Sequence, residues 1–212
     1  MKKVVVISVH PDDETLGCGG TLLKHKFQGD SVHCIFVTSG NTQQQRMISQ
    51  LSSFYQFASV QTLDLPEIAL SDMPLGQLIT PLKTAIQRIE PEVMYIPNRS
   101  DVHSDHRAVF EALMACTKSF RFPFIKRILM CEIISETDFA PALPENAFIP
   151  NVYVDISDFA EQKKKAIAVF ASELMTSPMT RSWEAIEALE TYRGSQINVH
   201  RAESFMLLKS IE

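Results

Sequence analysis

The stretch Val4-Val5-Val6-Ile7-Ser8-Val9-His10-Pro11-Asp12-Asp13-Glu14 decides the fold. Its first six residues are almost all apolar and rich in β-branched side chains, the pattern of a strand buried on both faces in a parallel sheet. The run stops at His10-Pro11. Asp12, Asp13 and Glu14 follow, before the glycine-rich helix start Gly17-Cys18-Gly19-Gly20. One imidazole and three carboxylates therefore stand at the carboxyl end of a first strand, where open α/β sheets place their ligands. Lys2 and Lys3 ahead of the apolar run imitate a signal peptide, but the acidic break after Val9 favours a strand.

Downstream, strand and helix patterns alternate. Helical periodicity from Thr15 to Phe27 ends at Gly29, a C-cap residue. Ser31–Thr38 and Val60–Leu65 read as strands, with a helix carrying Arg46, Met47, Leu51 and Tyr55 between them. A helix with apolar spacing over 78–89 precedes a fourth strand, Val93–Ile96, and a helix over 105–118 precedes a fifth, 127–134. Residues 135–151 hold three prolines and read as a loop rimming a pocket. A short strand at 153–156 follows. Asp158 and Glu161 then have capping-box spacing before a helix through Glu173. A second helix spans 183–192, and Glu203–Leu208 could add a last strand. This βαβ alternation predicts a Rossmann-like, mostly parallel sheet flanked by helices, with right-handed crossovers, in a single domain over residues 1–212.

Composition narrows the function. A net charge of −5 offers no basic footprint for nucleic acid. No apolar run approaches the roughly 20 residues of a membrane span. Cys18, Cys34, Cys116 and Cys131 are scattered without a thiolate-site spacing, so buried, reduced thiols in a cytoplasmic protein are expected.

Pro11 biases His10 to extended backbone and starts a sharp turn, which lets His10 and Asp13 converge on one point. Zinc accepts imidazole nitrogen and carboxylate oxygen, and a catalytic zinc has three protein ligands and an open position. A single Asp at this point reads equally as a helix N-cap, with Glu14 complementing the dipole. Two consecutive Asp after His-Pro exceed what a cap requires. A second cluster, His103-Ser104-Asp105-His106, follows the fourth strand. Parallel winding brings it to the same sheet edge, where His106 becomes the third ligand and His103 overhangs the open position. Gly17-Cys18-Gly19-Gly20 is not a GxGxxG turn straight after a strand, which argues against a dinucleotide site.

The segments His10-Pro11-Asp12-Asp13-Glu14 and His103-Ser104-Asp105-His106 resemble the paired signatures of the LmbE-like, or PIG-L, family of zinc-dependent N-deacetylases. The likeness extends through Thr38-Ser39-Gly40, Arg46 and Pro91-Glu92-Val93. It returns late at Tyr192-Arg193-Gly194-Ser195-Gln196 and Ala202-Glu203-Ser204-Phe205. The resemblance implies that His10, Asp13 and His106 hold Zn2+ and that Asp12 is the general base for a metal-activated water. His103, as imidazolium, would stabilise the oxyanion, Asp105 would orient a histidine, and Arg46 would reach the sugar. Arg46 read alone is a charge on a solvated helix face. The substrate implied is a small N-acetyl amino sugar or glycoside, of the N-acetylglucosamine kind, and the family admits homo-oligomers. Ser49 stands where the family often has Glu, and Arg201 where an aromatic is common; these departures bear on substrate identity. Hydrolysis of a different amide, or plain sugar or nucleotide binding, are the competing readings. The latter needs no poised base.

Overall fold

The computed structural model describes residues 1–212. One sheet of seven strands runs through it: β1 (Lys3–Ser8), β2 (Ser31–Thr38), β3 (Ser59–Leu65), β4 (Val93–Ile96), β5 (Arg127–Cys131), β6 (Val152–Asp155) and β7 (Ala202–Ser210). Their spatial order is β3-β2-β1-β4-β5-β7-β6. The first five are parallel, whereas β7 runs antiparallel between β5 and β6. The chain winds outward from β1 in one direction to β3, then returns to start β4 on the other side of β1. Loops leaving β1 and β4 therefore diverge to opposite faces and open a crevice between them.

The unbroken apolar run of β1 has the cause expected from sequence. Val4 and Val6 pack into a cluster of 23 buried residues on one face, and Val5 and Ile7 into one of 21 on the other. Both faces are thus covered. The first is roofed by α1 (Asp13–Phe27), α2 (Thr42–Tyr55), α5 (Ala160–Ile167) and α6 (Trp183–Ser195), the second by α3 (Leu75–Ile89) and α4 (Ser104–Met114). No helix is long and apolar enough to cross a membrane. All four cysteines are buried and free.

Asn41 caps α2, accepting from Gln43 N and Gln44 N in a capping box. Three local expectations shift. Asp158 and Glu161 form no such box. Asp155 instead accepts from the backbone and hydroxyl of Ser157, and α5 starts without a side-chain cap. The helix α4 ends at Met114, where the Cys116 N–H turns back to Leu113 O. Strand β5 stops at Cys131, since the Ile133 N–H is taken by Thr137 Oγ1. The three residues thereby released from the strand belong to a turn that carries Glu136 into the crevice.

Helix α1 breaks at Cys18 (φ −152°, ψ 20°), which frees donors in its second half. Glu203 on β7 accepts from Gly20 N at 2.8 Å and Thr21 N at 2.7 Å, capping the restarted helix from across the core. Buried Lys163 lies 2.8 Å from the same carboxylate and 3.0 Å from Glu190. A Cβ on Gly20 would meet Ile156 at 2.8 Å, so only glycine lets α1 lie this close to its neighbour.

A candidate metal centre in the crevice

Sharp geometry starts the site. Asp12 has φ +156° and ψ −26°, a conformation that side-chain-bearing residues rarely adopt and that costs about 1–3 kcal/mol. Its surroundings hold it there. The Asp12 carbonyl accepts from Thr15 N and Leu16 N, and the Glu14 carboxylate accepts from Asp12 N, Ser8 Oγ and Thr15 Oγ1. Glu14 is fully buried beneath the turn, and burial pushes its pKa up to about 7 against the hydrogen bonds from Thr15 and Ser8. The strain turns Asp12 toward the crevice and Asp13 back toward His10, whose N–H donates to Asp13 Oδ2 at 2.8 Å.

From the other side, α4 delivers three residues. His106 projects Nε2 to 3.3 Å from Asp13 Oδ2, while its Nδ1 lies 2.9 Å from Asp101 Oδ2. Asp101 is fully buried and held in turn by Thr137 Oγ1 and Asn98 N. His10 is held similarly: its Nε2 lies 3.2 Å from Asp105 Oδ2, leaving Nδ1 turned toward Asp13 at 4.0 Å. Each imidazole thus has a carboxylate on one nitrogen and presents the other inward, the arrangement that orients histidine ligands.

Two groups of donor atoms lie within 4.8 Å of one another: His10, Asp13 and His106, and His10, His103 and Asp105. Hydrogen bonding separates them. Both oxygens of Asp105 are engaged, Oδ2 by Ile68 N and His10 and Oδ1 by Leu70 N. By contrast, Asp13 Oδ1 and His106 Nε2 are buried with no hydrogen-bond partner, the 3.3 Å approach of Asp13 Oδ2 to Nε2 not forming one. Buried polar atoms are rarely left so, and two on residues of one donor group fit a cation. The donor set of two nitrogens and one carboxylate suits zinc with an open position.

Electrostatics agree with that geometry. Burial resists ionisation of Asp13, yet His106 and His10 hold its carboxyl below the usual range. Burial likewise resists a charge on His106, but Asp13 and Asp101 raise its pKa well above an ordinary histidine. A metal ion would replace that proton.

His103 is the N-cap of α4, and its Nδ1 accepts from Asp105 N at 3.1 Å. An imidazolium carries hydrogen on both nitrogens and could not accept there. The ring therefore stands neutral with its hydrogen on Nε2. Burial, then the neighbouring His10 and His106, lower its pKa, in keeping with the neutral form rather than the expected imidazolium. The three rings lie within 4.6–5.6 Å of one another, centroid to centroid.

His10, Asp12 and His103 line a cleft of about 140 Å³, joined by Gln44, Met47, Glu67, Glu136, Glu173 and Arg181. Arg46 is exposed on α2 and is not among the lining residues; the adjacent Met47 takes that place. The cation that does enter the cleft is Arg181, from the loop before α6, and its Nη1 donates to Asp12 Oδ2 at 2.7 Å. Nothing local in Thr180-Arg181-Ser182 signals this, since the contact spans 169 residues. Asp12 is 4% exposed, and burial and the Asp13 charge push its pKa up while Arg181 pulls it down. Asp101, the partner of His106, also escaped the sequence reading; an acidic residue five positions before a candidate ligand is its one local sign. Of the late segments, Glu203 serves the core as described, and Arg193 forms a two-pronged ion pair with Glu132.

Comparison with known proteins supplies the family. The PIG-L family, GlcNAc-PI de-N-acetylase, matches residues 5–117, more than half of the chain and including both His/Asp clusters. The chain is 27% identical over 128 residues to the "Uncharacterized deacetylase YaiS" of Escherichia coli K12, covering 56% of this chain and 69% of that protein. It is 23% identical over 232 aligned positions to the diacetylchitobiose deacetylase of Thermococcus kodakarensis, covering 100% and 85%. Among solved structures, the conserved protein TT1542 from Thermus thermophilus shares the fold with a TM-score of 0.80 at 26% identity, over 100% of this chain and 97% of that one. Matched through both of its His/Asp clusters and sharing the fold along its whole length, this chain belongs to the PIG-L, or LmbE-like, family.

Proposed function

We propose that this protein is a zinc-dependent N-deacetylase that removes the acetyl group from an N-acetylated amino sugar or its glycoside, with residues 1–212 acting as one catalytic unit. One observation carries the reading: Asp13 and His106, each with a buried polar atom that lacks a hydrogen-bond partner, cluster with His10, which lines the cleft together with Asp12 and His103. A sugar- or nucleotide-binding protein has no use for a strained, buried carboxylate next to such a set. The acetyl-sugar substrate is supported by the diacetylchitobiose deacetylase relative. Four free, buried thiols support a reducing, cytoplasmic setting.

Zinc held by His10, Asp13 and His106 would polarise the acetyl carbonyl and lower the pKa of water toward about 7. The residues of the chain do the rest. Arg181 occupies Asp12 Oδ2, so Asp12 Oδ1, buried and unpartnered, is the oxygen that takes the proton from the attacking water. Water oxygen bonds to the carbonyl carbon, and negative charge collects on the former carbonyl oxygen. His103 Nε2–H donates to that oxygen; loss of one such donor typically costs about 10²–10³ in rate. The C–N bond breaks as the nitrogen takes from Asp12 the proton that Asp12 received from water, giving acetate and a free amine.

The test is acetate release from N-acetylglucosamine derivatives by purified protein, with zinc content measured on the same sample. Release abolished by chelator and restored by zinc is expected. Zinc-loaded protein that frees no acetate from any N-acetyl sugar refutes the reading.

A further inference from the structure

The cleft holds one carboxylate that the chemistry above leaves unused. Glu136 sits in the turn after β5, beyond Ser135 at φ +75°, and is 8% exposed. Its Oε1 lies 3.5 Å from Arg181 Nη2, but its Oε2 is buried with no partner and the residue lines the cleft. The turn is held firmly. Glu136 O accepts from Val102 N, Ser135 Oγ accepts from Arg181 Nε at 2.6 Å, and Asp138 accepts from Thr180. An acceptor fixed on a braced turn, beside the reacting groups and without a donor of its own, is complementary to a donor on the substrate.

The rest of the cleft has the same sign. Glu67 and Glu173 stand exposed among the lining residues, and Arg181 is the one lysine or arginine there. Its guanidinium is already shared among Asp12, Ser135 and Glu136, leaving little to offer an incoming anion. A phosphate or carboxylate lodged in the cleft away from the metal position would meet three glutamates and no lysine or arginine free to pair with it. Hydroxyl groups, or an ammonium, would find acceptors.

We propose that Glu136 is the substrate-anchoring residue of this site, and that the cleft selects uncharged or amine-bearing amino sugars over phosphorylated or carboxylated ones. This rests on the deacetylase reading and deepens it to a substrate class.

The experiment uses zinc-loaded protein and two readouts. Acetate release is compared for methyl N-acetylglucosaminide, a glucosaminyl-N-acetylglucosamine disaccharide with one free amine, and N-acetylglucosamine 6-phosphate. Calorimetry measures binding of free glucosamine and of glucosamine 6-phosphate without turnover. The first two substrates should exceed the phosphate ester in kcat/KM by at least tenfold, and glucosamine should bind at least tenfold more tightly than its phosphate. Glu136→Gln should raise KM for the favoured substrates about tenfold with a smaller change in kcat, and should narrow the phosphate discrimination. Glu173→Gln should narrow it too, which a purely structural role for Glu136 would not require. Equal or better use of the phosphate ester, or an unchanged KM and unchanged glucosamine affinity in Glu136→Gln, overturns the proposal. Glucosamine bound with the expected preference but no acetate released refutes the deacetylase reading alone. Absence of any binding preference refutes the anchoring role whatever the turnover.

Discussion

Arg181 and Asp12, 169 residues apart, are joined by a 2.7 Å hydrogen bond from Nη1 to Oδ2 inside the cleft. The bond engages one oxygen of a buried carboxylate and leaves the other, Oδ1, without a hydrogen-bond partner. A charge-assisted bond of this kind both orients the group and stabilises its ionised form.

Replacing Arg181 by Gln should therefore lower kcat by about 10–100-fold while zinc content stays at one ion per chain. Arg181→Lys should not rescue it, because an ammonium cannot span Asp12, Ser135 and Glu136 together. Steady-state kinetics with metal analysis on the same preparations decides this. Wild-type turnover in Arg181→Gln would remove the residue from the site's working parts.

Asp12 and His106 should fail differently. Asp12→Ala is expected to keep zinc and lose about 10²–10⁴ in turnover, whereas His106→Ala should lose the metal. Thermal unfolding separates them again. Zinc at 100 times its dissociation constant should stabilise the wild type and Asp12→Ala by about 2.7 kcal/mol, and should do nothing for His106→Ala. Full activity in Asp12→Ala would end its assignment as base.

Asp101 touches no candidate substrate position, yet it sets which His106 nitrogen faces Asp13. Asp101→Asn should weaken zinc binding about 10–100-fold, measured by competition with a chromophoric chelator. An unchanged affinity would mean that packing alone orients the ring.

Away from the cleft, Glu203→Ala should act on stability. It leaves Lys163 buried with Glu190 as its remaining partner and uncaps the second half of α1. Breaking a buried pair costs about 3–5 kcal/mol, a fall in Tm of roughly 10 °C for a chain of this size. Zinc content of the folded fraction should be unaffected. A Tm within a degree or two of wild type would show that the network contributes little.

Much of this architecture is legible along the chain. The apolar run 4–9 specifies a strand with two covered faces, and β2 and β4 span the residues their sequence pattern marks, Ser31–Thr38 and Val93–Ile96. His10, Asp13, His103 and His106 were readable because each cluster is compact in sequence and follows a strand, so sheet topology alone brings them to one edge. Expectations slipped at boundaries settled by single side-chain hydrogen bonds. Thr137 ends β5 early by taking the Ile133 N–H, and Asp155 rather than Asp158 bonds to Ser157.

The chain by itself determined the parallel sheet, its both-face burial and the six residues of the two His/Asp clusters, because periodicity and strand-end placement are local properties. Tertiary structure alone decided that Arg46 lies outside the cleft and Arg181 inside, that Asp101 holds His106, that the histidine Asp105 holds is His10, and that Glu136 lines the cleft with one oxygen unclaimed. Apart from Asp101 and His106, five positions apart, those contacts join segments 45 to 169 residues apart in sequence. Packing chooses their side chains for reach and burial, and reach across a crevice leaves no period or spacing to read.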